Sequence, residues 1–251
     1  TQRRGAPWSD DELVVEEPLE IRVEDEPLVV TMRTPGDDLA LAAGFLYSEG
    51  VVDGLDDVAA LDHLAGPGGE NTIQVRLASG VAAHLDALRQ AQRSVVATSA
   101  CGLCGKSRLD QVEVAATVDI VPVDVDPDLL DGLATRLREG QDVFARTGGC
   151  HGAALLDPHG GLSTVREDIG RHNAVDKVLG VRFLEDRVPV RDAFLVVSGR
   201  AGFEIVQKAR VAGVPVVIAF GAASSLAARL AAQSGMKLYG FVRDDGWTRY
   251  A

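Results

Sequence analysis

The sequence predicts an α/β protein whose C-terminal half holds a mixed or parallel sheet covered by helices. Three observations support this fold class. Strands and helices alternate between residues 194 and 242, and the strands are continuous apolar runs, as expected for strands buried on both faces. The chain has 251 residues, of which 46% are hydrophobic, so it can bury a substantial core.

Residues 1–98 form the predicted N-terminal part, a smaller α+β unit that begins with a loose tail over residues 1–15. Alternating apolar residues predict a strand over 19–23, and a turn leads into a second strand. A helix follows, with Asp37 or Asp38 as N-cap and Gly50 at its end, and one face of it is apolar. A strand at 73–77 and a short helix at 83–90 complete this part.

A mobile loop over residues 99–110 carries two of the three cysteines. Cys101 and Cys104 stand two residues apart, and the small residues around them predict an exposed, flexible segment. Lys106 follows, and a nearby cation stabilises the thiolate, which is the reactive form of cysteine. The residues alone leave four uses open: structural thiols, half of a zinc site, a thioredoxin-like dithiol, or a thiolate that accepts sulfur as a persulfide.

A complete zinc site would need further ligands, and Cys150 and His151 are of the right type. Adjacent residues rarely both reach one metal ion, and the glutamate that zinc deaminases use as general acid and base is missing. For these two reasons we expect the protein itself to bind no metal.

A thioredoxin-like site opens a helix, which the two glycines of the loop disfavour.

Residues 111–251 form the predicted main domain. Its first helix opens at Pro127, ends at Gly140 and carries an apolar stripe at Leu130, Leu133, Ala134 and Leu137. Two strands at 153–156 and 162–165 flank a turn, and the next helix ends at Gly180. The last part alternates strand, helix, strand, helix and strand, over residues 194–197, 203–212, 214–219, 226–233 and 238–242.

Three segments follow the strands of that last part and are expected to meet at one sheet edge, where open parallel sheets bind ligands. Two of them are also helix N-termini, whose free N–H groups favour an anion such as phosphate. We predict a nucleotide or phosphate crevice there, although ordinary βα turns have a similar composition. Its residues are Ser198, Gly199, Arg200, Ser224, Phe241, Val242, Arg243, Asp244, Asp245 and Gly246.

A dense polar cluster stands at the predicted start of an earlier helix: Asp168, Arg171, His172 and Asn173. Such a group is typical of ligand contacts. Alternatively, Asp168 caps the helix and pairs with Arg171.

Composition excludes several classes of function. The net charge of −12 argues against non-specific nucleic-acid binding. Three cysteines are too few for a disulfide scaffold and suit a reducing compartment. The sequence has neither a signal peptide nor an apolar run of about eighteen residues, so we expect a cytoplasmic protein with no membrane partner.

Several motifs, in one order along nearly the whole chain, resemble the formate dehydrogenase accessory sulfurtransferases, the FdhD family. They are Glu17-Pro18-Leu19, Thr34-Pro35, Gly44-Phe45-Leu46, Glu49-Gly50, 99–106, Thr147-Gly148-Gly149, 167–177, Ser198-Gly199-Arg200 and Val206-Gln207-Lys208-Ala209. The resemblance implies a main domain like cytidine deaminase without its zinc chemistry, and a homodimer.

The resemblance also implies a reaction. Family members take persulfide sulfur from a cysteine desulfurase and deliver it to the molybdenum cofactor, as bis-molybdopterin guanine dinucleotide, for formate dehydrogenase. The persulfide cysteine corresponds to Cys101, with Cys104 as its neighbour, and the family's guanine-dinucleotide contacts include the stretch 241–246. Where the family usually has threonine, this chain has Cys150. The alternative is a guanine-nucleotide cofactor chaperone with structural or zinc-bound cysteines and no sulfur transfer.

Overall fold

The computed structural model describes residues 10–66, 69–79, 81 and 118–251. Within these ranges ten strands and six α-helices occur. The strands are β1 Glu17–Val23, β2 Glu26–Arg33, β3 Val58–His63, β4 Thr72–Leu77, β5 His151–Leu156, β6 Leu162–Asp168, β7 Phe194–Val197, β8 Val216–Ala219, β9 Lys237–Arg243 and β10 Gly246–Arg249. The helices are α1 Asp38–Ser48, α2 Leu133–Glu139, α3 Asp142–Thr147, α4 Arg171–Leu184, α5 Phe203–Val211 and α6 Ser225–Gln233.

The larger sheet has six strands in the order β10-β9-β8-β7-β5-β6. β7 pairs with β8 and β8 with β9 in parallel, which confirms the strand–helix–strand arrangement predicted from the sequence. The outer pairs, β5–β7, β5–β6 and β9–β10, are antiparallel, so the sheet is mixed.

Helices cover both faces of this sheet because alternate residues of its central strands point to opposite sides. Leu195 and Val197 face a core built with α1, α4, α5 and α6. Phe194 and Val196 face a second core closed by Leu133 and its neighbours in and before α2. The central strands are therefore buried on both sides, as their continuous apolar sequences predict.

The smaller sheet has the order β2-β1-β4-β3, with β1 and β4 parallel. Leu19, Ile21 and Val23 of β1 are buried, which confirms the predicted alternation. β3 was not predicted: it is an edge strand whose residues are exposed or only half-buried, so it has no apolar pattern to reveal it.

Helices α1 and α4 cross at two glycines. A Cβ placed on Gly44 would collide with the carbonyl oxygen of Asp176 and lie 2.8 Å from the backbone nitrogen of Gly180. A Cβ on Gly180 would collide with the carbonyl oxygen of Ala40. The prediction that this helix ends at Gly180 is wrong: α4 continues to Leu184, and the glycine serves the close approach of the two helices.

One further helix prediction needs correction. The helix predicted from Pro127 to Gly140 is divided into a 3-10 turn, Pro127–Leu130, and α2, because Gly132 takes a positive φ of 63° between them. α3 was not predicted. Asp37 is the N-cap residue of α1, one of the two that the sequence predicts, but its φ is 57° and its side chain makes no capping bond; its carboxylate pairs with Arg166 at 3.2 Å.

The predicted helix at 83–90 and the cysteine loop lie outside the described residues, and the domain boundaries drawn at that loop stay predictions. The likeness to cytidine deaminase also stays a prediction. In the described part of the chain, no helix combines the length and apolar character needed to span a membrane.

Candidate functional site

A cleft of about 540 Å³ opens at the carboxyl edge of the three parallel strands. Ser198, Phe220, Val242 and Arg243, which end or follow those strands, form one wall. The α2–α3 region and the start of β5 form the other, through Ala134, Arg138, Gln141, Phe144, Gly148, Gly149, Cys150 and His151. The cleft lies at the edge where the sequence places a crevice, and its use by a ligand stays a prediction.

Cations gather around this cleft although the chain has a net charge of −12. Arg138 and Arg243 line it, and both are exposed. Arg171 lies beside the same edge, 4.0 Å from a Cβ placed on Gly199. None of these three guanidinium groups pairs with a carboxylate of the described ranges. Unpaired guanidinium groups in a concave site favour a phosphate or another anion.

The first predicted turn, which begins at Ser198, is held to β5 by two hydrogen bonds. The Oγ of Ser198 accepts from the backbone N–H of Gly152 at 2.9 Å, and the N–H of Ser198 donates to the carbonyl of Gly152 at 2.9 Å. Gly199 packs against the ring of His151, a residue of β5: a Cβ at position 199 would lie 3.4 Å from Nδ1 of that ring. Arg200 is exposed on the same edge but does not line the cleft.

The second predicted turn ends in a helix cap. The Oγ of Ser224 accepts from the N–H of Ala227 at 3.1 Å, which is the usual N-cap bond. This oxygen is therefore already engaged, and Ser224 is not among the residues that line the cleft.

The third predicted segment is a strand and hairpin rather than a loop beyond a strand. Phe241, Val242 and Arg243 belong to β9, which extends one residue beyond the predicted strand at each end, and Asp244 and Asp245 form the turn to the unpredicted β10. Of the predicted stretch 241–246, only Val242 and Arg243 line the cleft. The two aspartates are exposed at the hairpin turn, so their charges do not enter it.

Asp168 and Asn173 from the predicted polar cluster join the two sheets. Asp168 ends β6 rather than starting a helix, is fully buried, and accepts hydrogen bonds from the N–H groups of Thr34 and Gly170. Asn173 donates to Oδ1 of Asp168 at 3.1 Å and to the carbonyl of Met32 at 2.8 Å. These two residues position β2 against α4, and the burial of Asp168 leaves no surface for a ligand.

The other two members of the cluster face different partners. His172 Nε2 lies 2.9 Å from Oε2 of Glu204, so this imidazole is tied to α5. Arg171 does not pair with Asp168, whose ion-pair partner is Lys177. Arg171 is therefore the member of the cluster that reaches the edge of the cleft.

Two neighbouring residues of the cleft were missed as site residues, since the sequence suggested them only as zinc ligands. Cys150 is buried, lies 3.7 Å from Oγ1 of Thr34, and burial raises the pKa of its thiol. His151 is half-buried, and burial, helped by Arg171 and His172, lowers the pKa of its imidazole. At neutral pH the cleft therefore contains a neutral thiol and a neutral imidazole.

One carboxylate holds the wall of the cleft that the α2–α3 region forms. Glu167 of β6 accepts from the N–H groups of Val143 and Phe144 at 2.8 and 2.7 Å, and so fixes the start of α3. Gln141, just before α3, is 3% exposed and lines the cleft. Position 141 carries no motif, so only the fold reveals it.

The predicted catalytic pair, Cys101 and Cys104, lies outside the described residues. Within the described ranges, no three histidine, cysteine, aspartate or glutamate side chains are placed to hold a metal ion together.

Comparison with known proteins assigns residues 14–251 to the FdhD/NarQ family. A sulfur carrier protein FdhD from Streptomyces avermitilis is 51% identical over 249 residues, 96% of this chain and 87% of that protein. A protein of the same name from Mycobacterium tuberculosis is 46% identical over 249 residues, 95% of this chain and 89% of its own. A crystal structure described as a formate dehydrogenase accessory protein from Desulfotalea psychrophila shares the fold, with a TM-score of 0.74 and 22% identity over 99% of this chain and 92% of that chain.

Proposed function

We propose that this chain, which belongs to the FdhD/NarQ family, is a sulfur carrier that serves the maturation of formate dehydrogenase. The observation that carries the proposal is near full-length similarity, at 44–51% identity, to relatives named sulfur carrier proteins. The pair Cys101 and Cys104 supplies the thiol chemistry that such a role requires.

Loading is a transfer between thiols. The thiolate of Cys101 attacks the outer sulfur of a persulfide on a cysteine desulfurase, and the donor cysteine leaves as a thiolate. Cys101 then carries the persulfide, and no external oxidant or reductant is needed. Cys104 assists release once the acceptor is bound: its thiolate attacks the inner sulfur of that persulfide, forms a Cys101–Cys104 disulfide and expels the outer sulfur as hydrosulfide to the acceptor, and a cellular dithiol reductant then reduces the disulfide before the next loading. Reduced thiols of this kind suit a cytoplasmic protein.

The acceptor is the molybdenum cofactor, in its bis-molybdopterin guanine dinucleotide form, bound as substrate at the cleft. We infer that Arg138 and Arg243, which line the cleft, bind its phosphate groups, and that Arg171 adds positive charge beside them. A volume of about 540 Å³ suits one nucleotide arm rather than the whole cofactor. Two such arms call for two clefts, and for that reason we also propose a homodimer.

Binding of GDP, followed by calorimetry, tests the acceptor site. We expect Arg138→Ala and Arg243→Ala each to weaken GDP about tenfold, since each removes a charged hydrogen bond to phosphate. The matched control is Arg76→Ala, because Arg76 lies on β4 and pairs with Asp25. Unchanged affinity in both cleft variants would remove the cleft from the proposal.

A further inference from the structure

The side-chain amide of Gln141 is buried, yet one of its polar atoms has no hydrogen-bond partner among the described residues. Its side chain is 3% exposed, and its Nε2 has no hydrogen-bond acceptor among the described residues. Buried donors are nearly always paired in native proteins, and an exception calls for an explanation. Gln141 lines the cleft, so the missing acceptor can come from a bound molecule.

The backbone and the neighbours of Gln141 hold the amide in place. The N–H of Gln141 donates to the carbonyl of Arg138 at 3.0 Å, and its carbonyl accepts from Ala145 at 2.9 Å. Gly152 leaves the space that this amide fills, because any larger residue at position 152 would place its Cβ only 2.5 Å from Nε2 of Gln141. The amide therefore lies against β5, and rotation about its last torsion can aim the N–H groups.

Polarity changes across the cleft. The buried part of the cleft around Gln141 contains neutral groups, the thiol of Cys150 and the imidazole of His151. The charged groups, Arg138 and Arg243, are exposed at the rim. A ligand that satisfies both regions has an anionic end for the rim and a neutral end with a hydrogen-bond acceptor for the buried wall.

We propose that Gln141 is a specificity-determining residue that donates from Nε2 to a carbonyl or ring nitrogen of a nucleobase. The diphosphate of the same ligand then lies at the arginine rim. This inference rests on the proposed cleft, and it adds an orientation, with the base inside and the phosphates outside. It also names the group that distinguishes a nucleotide from a simple phosphate.

The test compares GDP with inorganic pyrophosphate, which lacks the base, by calorimetry. We expect Gln141→Met to weaken GDP about tenfold, the loss of one hydrogen bond, and to leave pyrophosphate binding unchanged. Gln141→Glu keeps the shape but replaces the donor by an acceptor, and we expect at least as large a loss. Gln233→Met makes the same change at an exposed position of α6, outside the cleft, and should alter the affinity for neither ligand.

The melting temperature of the ligand-free protein gives a second readout. Gln141→Met removes an unsatisfied buried donor, so we expect no fall in melting temperature. GDP binding that survives in both Gln141 variants, an equal loss for GDP and pyrophosphate, or a lower melting temperature of Gln141→Met would each overturn the inference. Failure of the wild-type protein to bind either ligand would instead overturn the proposed cleft.

Discussion

Lys177 Nζ lies 2.9 Å from Oδ2 of Asp168 in the interior, and this ion pair joins the two sheets. The side chains are 2% and 0% exposed. Both partners also bind Thr34, directly after β2: Lys177 donates to its carbonyl at 2.8 Å, and Asp168 accepts from its N–H at 3.1 Å. The smaller sheet is therefore anchored to α4 and β6, beside the residues that form the cleft.

Removing the cation of this pair should destabilise the protein strongly. Lys177→Met leaves Asp168 as a buried charge without its partner, and we expect a loss of about 3–5 kcal/mol in the free energy of unfolding, measured with urea. Lys237→Met is the matched control, because its partner Asp124 is fully exposed, and it should cost only a small part of that loss. Similar losses in the two variants would contradict the role given to the buried pair.

The crossing of α1 and α4 makes a second stability prediction. A methyl group at Gly44 or Gly180 meets backbone atoms of the facing helix, so Gly44→Ala and Gly180→Ala should each cost about 3 kcal/mol. An alanine normally stabilises a helix interior relative to glycine, so the expected sign is reversed by packing alone. Gly54→Ala, where no atom lies within 4 Å of the new methyl group, should change stability little in the same urea titration.

Anion binding should depend on pH through His151. Burial, with Arg171 and His172, lowers the pKa of this imidazole below its ordinary value of 6.5, while Asp168 acts in the opposite direction. Protonation adds a positive charge to the cleft. Pyrophosphate affinity should therefore be level near pH 7 and rise as the pH falls through the lowered pKa.

His151→Gln should abolish that rise, whereas His172→Gln, which removes a histidine bound to Glu204, should largely retain it. Calorimetry across pH measures the affinities, and NMR titration of the His151 ring measures the midpoint. A midpoint above 6.5 would contradict the predicted direction.

Cys150 should be a poor nucleophile. Its thiol is buried and its pKa is raised, so alkylation by iodoacetamide at pH 7.5 should be at least about tenfold slower in the folded protein than in urea. Peptide mass spectrometry resolves this cysteine from the other two. We also expect Cys150→Thr to load sulfur normally; a loss of loading would give the thiol a part in the reaction.

The sequence predicted the larger sheet well because its central strands, such as Val216–Ala219, are continuous apolar runs between helices. Edge strands such as β3 and β10 have no such pattern, because water covers much of their surface. Gly180 gave a wrong helix end, since a glycine that ends a helix and one that lets two helices touch are identical in sequence. Only the facing backbone of α1 distinguishes them.

The candidate site was predictable only in part, for a similar reason. The rule that open parallel sheets bind ligands beyond the carboxyl ends of their strands places Ser198 and Arg243 at one edge from the sequence alone. Gln141 and His151 reach the same cleft from a helix junction and from β5, and no spacing in the sequence links them to that edge. Asp168 belongs to a dense polar cluster of the kind that is typical of ligand contacts, but it is fully buried and therefore contacts only the protein interior.

Mass spectrometry of the three cysteines after incubation with a cysteine desulfurase and cysteine, without reductant, tests the sulfur-carrier function most directly. Wild type, Cys101→Ala, Cys104→Ala and Cys150→Ala are compared. We predict one added sulfur atom on the Cys101 peptide, absent only from Cys101→Ala. No added sulfur on any cysteine, with a desulfurase shown to be active, would contradict the sulfur-carrier function.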